Sequence, residues 1–345
     1  MSVVALIPAH NEPSIGLTVD SILRQSHPVD AVIVITNNCT DNGRTARRAR
    51  AHGATVIDLG VIEGKKAGAL NTGFEIVRQE FPDANFLLQM DADTILDEHF
   101  VENTVAAMRA NDRIAGLGAS FIAQNKPGEG AVGKFLVWGQ RQEFARFHGG
   151  QLTKQTSVLS GTATLLRVDA ILELRNDRGF IWSETCIVED YETTKALQSR
   201  QWLCMTDTTF IAHTDVMTNW KDLLQQRKRW QRGTLEVIFR EYRGQECTRL
   251  DKLRQYFAHI MIAPHLLSYL ALIILAFMWG GLEPLPLIVV WFVMGTYNAW
   301  SARRAGWKSA LFAGTLIPVE LYNFVRYYWL WKSWRLYRTA QAQAW

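Results

Sequence analysis

The chain has 345 residues, 48% of them hydrophobic, enough for one large domain or two modest ones around a substantial core. A formal net charge of +4, with no basic stripe interleaved with aromatics, excludes a base-stacking nucleic-acid surface. Cys39, Cys186, Cys204 and Cys247 lie far apart with no Cys-x-x-Cys pair, which excludes a disulfide framework or a zinc site and fits reduced thiols.

From Met1 the chain enters the strand Val3 to Ile7 directly, without the basic and long apolar segments of a signal peptide. Pro8-Ala9-His10-Asn11-Glu12 then reads as a Pro-broken loop, followed by a helix from about Ser14 to Gln25. Ala31 to Ile35 is a second strand that runs into the loop Thr36 to Gly43, and Arg44 to His52 is a helix. Thr55 to Leu59 is a third strand, Ala67 to Glu80 a helix, and Phe86 to Met90 a fourth, buried strand. Strands alternating with helices of this length predict βαβ units and a mostly parallel sheet flanked by helices. The loops at the carboxyl ends of such strands form one shared site.

The fourth strand ends in Asp91-Ala92-Asp93. Carboxylates at i and i+2 on a loop can both reach one hard cation, Mg2+ or Mn2+, that takes phosphate oxygens as its other ligands. The competing reading makes Asp93 or Thr94 the cap of a helix from Ile95 to Met108 and Asp91 a turn residue. Lys65 and Lys66, just ahead of a helix start, suit a diphosphate, or else form a solvated basic loop. Neither G-x-G-x-x-G nor a P-loop occurs at the first strand end, which argues against a dinucleotide fold or a triphosphate cradle.

Pro8-Ala-His-Asn-Glu12, the Asn37-to-Asp41 loop, Lys66-Ala-Gly-Ala-Leu-Asn71 and Asp91-Ala-Asp93 are followed by Ser160-Gly161-Thr162, Val188-Glu189-Asp190 and Gln226-Arg-Lys-Arg229-Trp230. This ordered set resembles the family 2 inverting glycosyltransferases, and residues 3 to about 235 are similar to the cytosolic domain of the cellulose, chitin and hyaluronan synthase group. The resemblance implies a GT-A-like, Rossmann-like α/β fold that binds a nucleotide-diphosphate sugar, a UDP-sugar first among the candidates. It implies that Pro8, His10, Glu12, Asn37, Asp41 and Lys66 face the donor, that Asp91 approaches the ribose and that Asp93 holds Mg2+ or Mn2+. Asp190 would be the general base, with Glu189 as the alternative; a direct displacement needs that base on the face opposite the leaving group. Without the resemblance, Asp190 reads as a helix cap. Gly161, Thr162 and Trp230 would face the acceptor, and Gln226, Arg229 and Trp230 the diphosphate, an indole and a guanidinium suiting a sugar face and a phosphate. The same helix also reads as a basic face on anionic lipid. His213 is either a further metal ligand or a hydrogen-bonded core residue.

Three departures stand out. Asn37 occupies a position where the family often carries Asp, which bears on nucleotide choice, and Val188 replaces a frequent Thr. The third is that the expected division places no membrane helices ahead of the catalytic segment, where the resemblance to polymer-secreting synthases implies them.

Residues 257 to 331 carry long apolar runs, and eight of the 13 tryptophans lie beyond residue 257. Runs of about 259–279 and 285–301 predict two membrane spans, the turn Gly280 to Pro284 between them and Arg303 and Arg304 on the inner side. A third stretch, about 311–331, holds Pro318, Glu320, Asn323 and Arg326 and is expected to be interfacial, re-entrant or spanning. The alternative is a buried helical hairpin in a soluble oligomer. The expected division is a catalytic domain over 1–235, an amphipathic linker over 236–256 and a membrane-associated region over 257–345. The expectation is a membrane-attached, metal-dependent transferase on the cytoplasmic face, using a glycan, lipid-linked or protein acceptor, with a homo-oligomer allowed for and no nucleic-acid partner. The rival classes are a sugar-phosphate nucleotidyltransferase, which should open with a glycine-rich loop, and a membrane scaffold carrying an inactive transferase domain.

Overall fold

The structure, a computed structural model, describes residues 1–124, 130–147, 155–239, 247–278, 284–303 and 306–339. Two compact units divide these residues: the first takes 1–124 and 155–216, the second 130–147, 217–239 and those from 247 onward.

The first unit is built on one eight-stranded sheet of order β3-β2-β1-β4-β7-β6-β8-β5. β1 (Val3–Ala9), β2 (Ala31–Thr36), β3 (Thr55–Asp58) and β4 (Phe86–Met90) run parallel. All residues of β1 and β4 are buried, because helices cover both faces of the sheet and each face must be apolar. Val3, Ala5, Ile7 and Leu88 turn to one face, with Ile15 and Val19 of α1 (Ile15–Leu23) and Phe100 and Val105 of α4 (Phe100–Ala110). Val4, Leu6 and Leu87 turn to the other, with Leu70 and Phe74 of α3 (Lys65–Glu80), Ile171 of α6 (Val168–Arg178) and Leu197 of α7 (Glu189–Ser199). The period of two in the burial is that of a pleated strand.

The sheet is mixed rather than mostly parallel. β7 (Ala163–Arg167) runs antiparallel to both β4 and β6 (Ile114–Ala123), while β6 and β8 (Leu203–Thr214) are parallel. A strand returning beside β4 in the opposite direction sets the start of β7 against the end of β4, with Met90 opposite Ala163. The helix expected from Ile95 is a second correction. Ile95–Leu96 is a short strand, β5, pairing with His213 and Ala212 of β8, and the helix begins only at Phe100. Two long-range backbone pairs override the local helical pattern there.

The second unit is helical: α5 (Gly130–Phe147), α8 (Trp220–Phe239), α9 (Arg249–Ile260), α10 (Ile262–Met278), α11 (Pro284–Ala302), α12 (Trp307–Gly314) and α13 (Ile317–Arg338). The boundary expected at 235 falls inside α8, whose Leu235, Val237 and Ile238 remain buried. α9 occupies much of the expected linker, opened by a capping box between Thr248 and Asp251.

The expected membrane spans are not found: among the described residues, no helix is long and apolar enough to cross a membrane. The run 259–279 is divided at Met261, ahead of Pro264, and the described residues of α10 number 17, against the ~20 a span needs. α11 has 19 residues but includes Gly295, Thr296, Asn298 and Ser301. The third stretch breaks at Leu316, whose φ is +65°, and α13 restarts with Pro318 in its first turn. Trp279, Gly280 to Glu283 and Arg304 lie outside the described residues.

Candidate active site

β1, β2 and β4 end side by side, with Ala9 opposite Thr36 and Leu6 opposite Gln89. Their exit loops are tied together. Asn11, at a φ of +49°, donates from its amide to Thr40 Oγ1 at 3.0 Å and accepts from the Thr40 N–H at 2.8 Å. His10 Nδ1 lies 3.2 Å from the Asn37 carbonyl, and the Asn37 N–H donates to the Ala9 carbonyl at 3.2 Å. His10 is exposed and Asn37 buried. Pro8, expected in the loop, lies inside β1, buried and opposite Ile35; it forms the sheet rather than the site's edge.

Asp41 lies at the start of α2 (Arg44–Ala51). Its Oδ2 accepts from the Thr45 hydroxyl at 2.6 Å and from the Thr45 N–H at 2.8 Å, and the hydroxyl bond leads the effects that hold its carboxyl below the usual range. Oδ1 is buried without a partner. Glu12 accepts from the Ser14 N–H at 2.8 Å, and its own N–H donates to Thr45 Oγ1 at 2.8 Å.

The Asp91–Asp93 loop is held by its backbone. The Asp91 N–H donates to the Thr162 carbonyl at 3.0 Å, and Thr18 Oγ1 donates to the Ala92 carbonyl at 2.7 Å. Burial, then the charges of Asp91, Glu12 and Asp215, pushes the Asp93 carboxyl up to about 6. A divalent cation would relieve that repulsion, and two carboxylates are the hard oxygen donors that Mg2+ or Mn2+ takes. Among the described residues, no group of three His, Cys, Asp or Glu stands ready to hold a metal. His213 lies in β8, opposite Ile95 and beside Ile122.

Lys66 bridges the next elements. Its ammonium lies 2.6 Å from Asp91 Oδ1 and 3.1 Å from Glu189 Oε1. Burial works against the charge, but Asp91, Glu189 and Asp190 outweigh it and hold the ammonium protonated. Both lysines stand within the first turn of α3 rather than ahead of it. A Cβ at Gly161 would lie 2.6 Å from Lys66 Nζ, so a larger residue there would push the ammonium aside. The Gly161 N–H donates to Asp190 Oδ2 at 3.1 Å, and the Tyr191 N–H donates to Oδ1 at 2.7 Å. The N-cap position of α7 is Val188, so Asp190 stands in the first turn rather than as the cap. Burial and then Glu189 push the Asp190 carboxyl up to about 6, with Lys66 opposing them. The structure thus brings Lys66, Asp91, Gly161, Glu189 and Asp190 together; Thr162 joins them through its carbonyl.

Gln226, Arg229 and Trp230 lie on α8 of the second unit. Gln226 Oε1 accepts from Arg227 at 2.9 Å, and Arg227 stacks 4.4 Å from the Trp230 ring centroid. Arg227, not singled out from sequence for the site, is 3% exposed and binds Glu143 at 2.9 Å. Asp215 was passed over in favour of His213 two residues earlier, although its charge is the one that reaches Asp93. Asn71 was also missed as a holder of the loop ahead of α7. Its Oδ1 accepts from the N–H groups of Ile181 and Trp182, and its amide donates to the Trp182 carbonyl at 2.8 Å. An asparagine on a helix face turned toward a loop was the available signal.

Carboxylates gathered at the strand ends of an α/β sheet, bridged by one lysine, stand where open α/β sheets bind their ligands. The chain belongs to the family described as Glycosyltransferase like family 2, which matches residues 2–233. It is 24% identical to chitin synthase 8 of Gibberella zeae over 242 residues, covering 61% of this chain and 35% of that protein. Over 59 residues it is 49% identical to the 4,4'-diaponeurosporenoate glycosyltransferase of Staphylococcus aureus, covering 17% of this chain and 15% of that one. The chain therefore spans about a third or less of the curated relatives it matches. In fold it resembles the mannosyltransferase PcManGT of Pyrobaculum calidifontis, solved with GDP-Man and Mn2+, with a TM-score of 0.54, 16% identity and coverage of 92% of this chain and 86% of that one.

Proposed function

We propose that this glycosyltransferase transfers a sugar, with inversion, from a nucleotide-diphosphate sugar to a hydroxyl acceptor, and that it does so with a divalent metal and while attached to a membrane. The carrying observation is the Asp190 carboxylate, held on both oxygens by main-chain N–H groups at 3.1 and 2.7 Å beside Lys66. A carboxylate so oriented, with its pKa raised to about 6, suits a general base working near neutral pH. It takes the acceptor hydroxyl proton as that oxygen attacks the anomeric carbon. The bond from that carbon to the diphosphate breaks on the opposite face, and its electron pair leaves with the diphosphate. Lys66 offers the leaving group a cation at the start of α3, where free N–H groups also favour phosphate. Asp93 and Asp91 would hold Mg2+ or Mn2+ together with diphosphate oxygens, and the metal would neutralise leaving-group charge. The GDP-Man and Mn2+ in the PcManGT structure support that class of donor and cofactor; a UDP-sugar is the first donor to try.

Membrane attachment is supported by the large apolar side chains that α9 to α13 expose, such as Phe257 at 59%, Phe292 at 65% and Trp307 at 72%. Helices of this kind lie in an interface with their apolar faces among the acyl chains. The proposed site of attachment is the cytoplasmic face, with a glycan, lipid-linked sugar or protein as acceptor.

The test is nucleoside-diphosphate release by the full chain across UDP-, GDP- and TDP-sugars with Mg2+ or Mn2+, with and without hydroxyl acceptors, and with Asp190→Asn in parallel. Release from one donor, lost in the variant, supports the reading. Equal release by the variant overturns the assigned base. Flotation with phospholipid vesicles tests attachment, and protein left at the bottom of the gradient rejects it.

A further inference from the structure

A nucleotide-diphosphate sugar is an anion at neutral pH, and the strand-end site is itself acidic. Glu12, Asp41, Asp91, Asp93, Glu189 and Asp190 outnumber Lys65 and Lys66 there, and Lys66 is already engaged by Asp91 and Glu189. Such a site repels an anion at distances greater than those at which hydrogen bonds or a metal can hold it.

Countercharge lies on α2. Its eight residues include Arg44, Arg47, Arg48 and Arg50 and no acid. Thr45, Ala46 and Ala49 form the buried face, and all four arginines are exposed. Arg47 Nη1 donates to the Asn42 carbonyl at 2.8 Å, Arg48 Nη1 to the Pro13 carbonyl, and Arg50 Nη2 to the Val56 carbonyl at 3.4 Å. A carbonyl orders a guanidinium without cancelling its charge. Among the described residues, no carboxylate pairs with any of the four.

These side chains have a direction. Asn42 lies on the exit loop of β2 and Pro13 on that of β1, the two loops assigned to the donor. Arg47 folds over the turn closely enough that a Cβ at Gly43 would lie 3.4 Å from its Nη1. Arg44 opens the helix, its N–H donating to the Asp41 carbonyl at 3.2 Å. The same turn is fastened to the site through Thr45, which bonds Asp41 and the Glu12 N–H. Arg50 instead reaches β3, at the sheet edge. With a Debye length of about 8 Å at physiological ionic strength, exposed charges on the donor loops still act on an anion arriving there. An anionic bilayer would also be attracted to arginines, but it would meet side chains extended from the helix, whereas Arg47 and Arg48 are folded onto the loops.

We infer that Arg44, Arg47 and Arg48 form an electrostatic guide that speeds capture of the anionic donor. The inference rests on the nucleotide-sugar reading of the strand-end site.

The experiment is stopped-flow association of UDP and GDP with the full chain in the presence of Mn2+, from low salt to about 1 M NaCl, where the Debye length is about 3 Å. The triple variant Arg44→Gln, Arg47→Gln, Arg48→Gln is expected to slow association about tenfold at low salt, the low end of what steering supplies. Its dissociation rate should stay within about twofold of wild type, and the two proteins should converge at high salt. Lysine at the same three positions keeps the charge without the guanidinium and is expected to restore the rate, which separates a field from a fold defect. Arg48→Gln and Arg50→Gln remove one charge each from the same helix, and Arg48→Gln is expected to be the slower. Equal association by wild type and the glutamine triple variant, equal slowing by the two single variants, a slow lysine variant, or a loss that lies in dissociation and persists at high salt overturns the guide and leaves the donor reading standing. Absence of nucleotide binding to wild type overturns both. Loss of binding to anionic phospholipid vesicles by the glutamine triple variant, with nucleotide association unchanged, would overturn the guide and assign the arginines to a membrane.

Discussion

The ammonium of Lys66 stands 2.6 Å from Oδ1 of Asp91. Reaching on to Glu189 at 3.1 Å, it joins the loop after β4 to the first turn of α7. On the proposed reading, a diphosphate entering the site would compete with these carboxylates for the same cation. Lys66→Met is therefore expected to weaken donor binding by about 10- to 100-fold, the scale of one or two charge-assisted hydrogen bonds. Lys66 also opposes the rise of the Asp190 carboxyl, so without it Asp190 titrates higher and the acid limb of the rate profile moves to higher pH. Donor calorimetry and a pH–rate profile of the variant check both parts. An unchanged donor Kd would leave Lys66 a purely structural bridge.

Asp190 must be ionised to accept a proton. Burial and Glu189 place its titration at about 6, so transfer is expected to be flat above that pH and to fall as pH drops through it. Asp190→Asn is expected to lower kcat by about 10²- to 10⁴-fold, the usual contribution of a positioned base, with donor Kd changed by less than about threefold. Glu189→Gln separates the two neighbouring carboxylates. Should it cost more in kcat than Asp190→Asn, the base is Glu189.

Two residues beyond Asp190, Glu192 is 0% exposed and forms an ion pair with Arg178 of α6, itself 1% exposed. Burial leads the effects that pull the Arg178 pKa down, against the charge of Glu192. The pair fastens the start of α7, and with it Asp190, to the core. Glu192→Gln strands a buried guanidinium and is expected to cost about 3–5 kcal/mol. Replacing both partners, as Arg178→Met with Glu192→Leu, is expected to recover most of that loss. Denaturant midpoints of the single and double variants decide it, and equal losses in both would show that packing, not charge, sets the cost.

The first half of the sheet was legible because each of its strands is an apolar run between turn residues, and β4 coincides with the expected Phe86 to Met90. The second half was not. β6 contains Gly116 and Gly118, and β8 carries Thr206, Asp207, Thr208 and Thr209; their pairing comes from distant partners that no local pattern reveals. The same blindness explains Ile95–Leu96, read as helix and found as strand. In the site, the carboxylates were visible as motifs, but the Lys66 bridge and the Asn71 anchor depend on contacts across a hundred residues. Pro8 was misplaced because proline usually ends a strand, whereas here β1 runs on to Ala9. The apolar runs after residue 257 were visible, but their length as helices was decided by breaks at Met261 and Leu316.

Asp93 gathers three negative neighbours, Asp91, Glu12 and Asp215, and its carboxyl is raised to about 6. A proton and a divalent cation are rival ways of relieving that repulsion. With Mn2+ present, donor affinity is therefore expected to fall as pH drops below about 6, by up to about tenfold per pH unit, because the proton then displaces the metal. With chelator present, donor binding should be weak at every pH and free of that limb. Asp93→Asn removes the charge without the bulk and should make wild-type and chelated behaviour converge: weak donor binding, indifferent to Mn2+. Asp215→Asn should lower the pH of the limb, since it removes one of the charges that raise Asp93, while keeping metal dependence. Calorimetric titration of the donor at a series of pH values, with Mn2+ or chelator, tests all of this. A donor affinity that ignores both chelator and Asp93→Asn would rule out a metal at these carboxylates and leave Lys66 as the diphosphate's main countercharge.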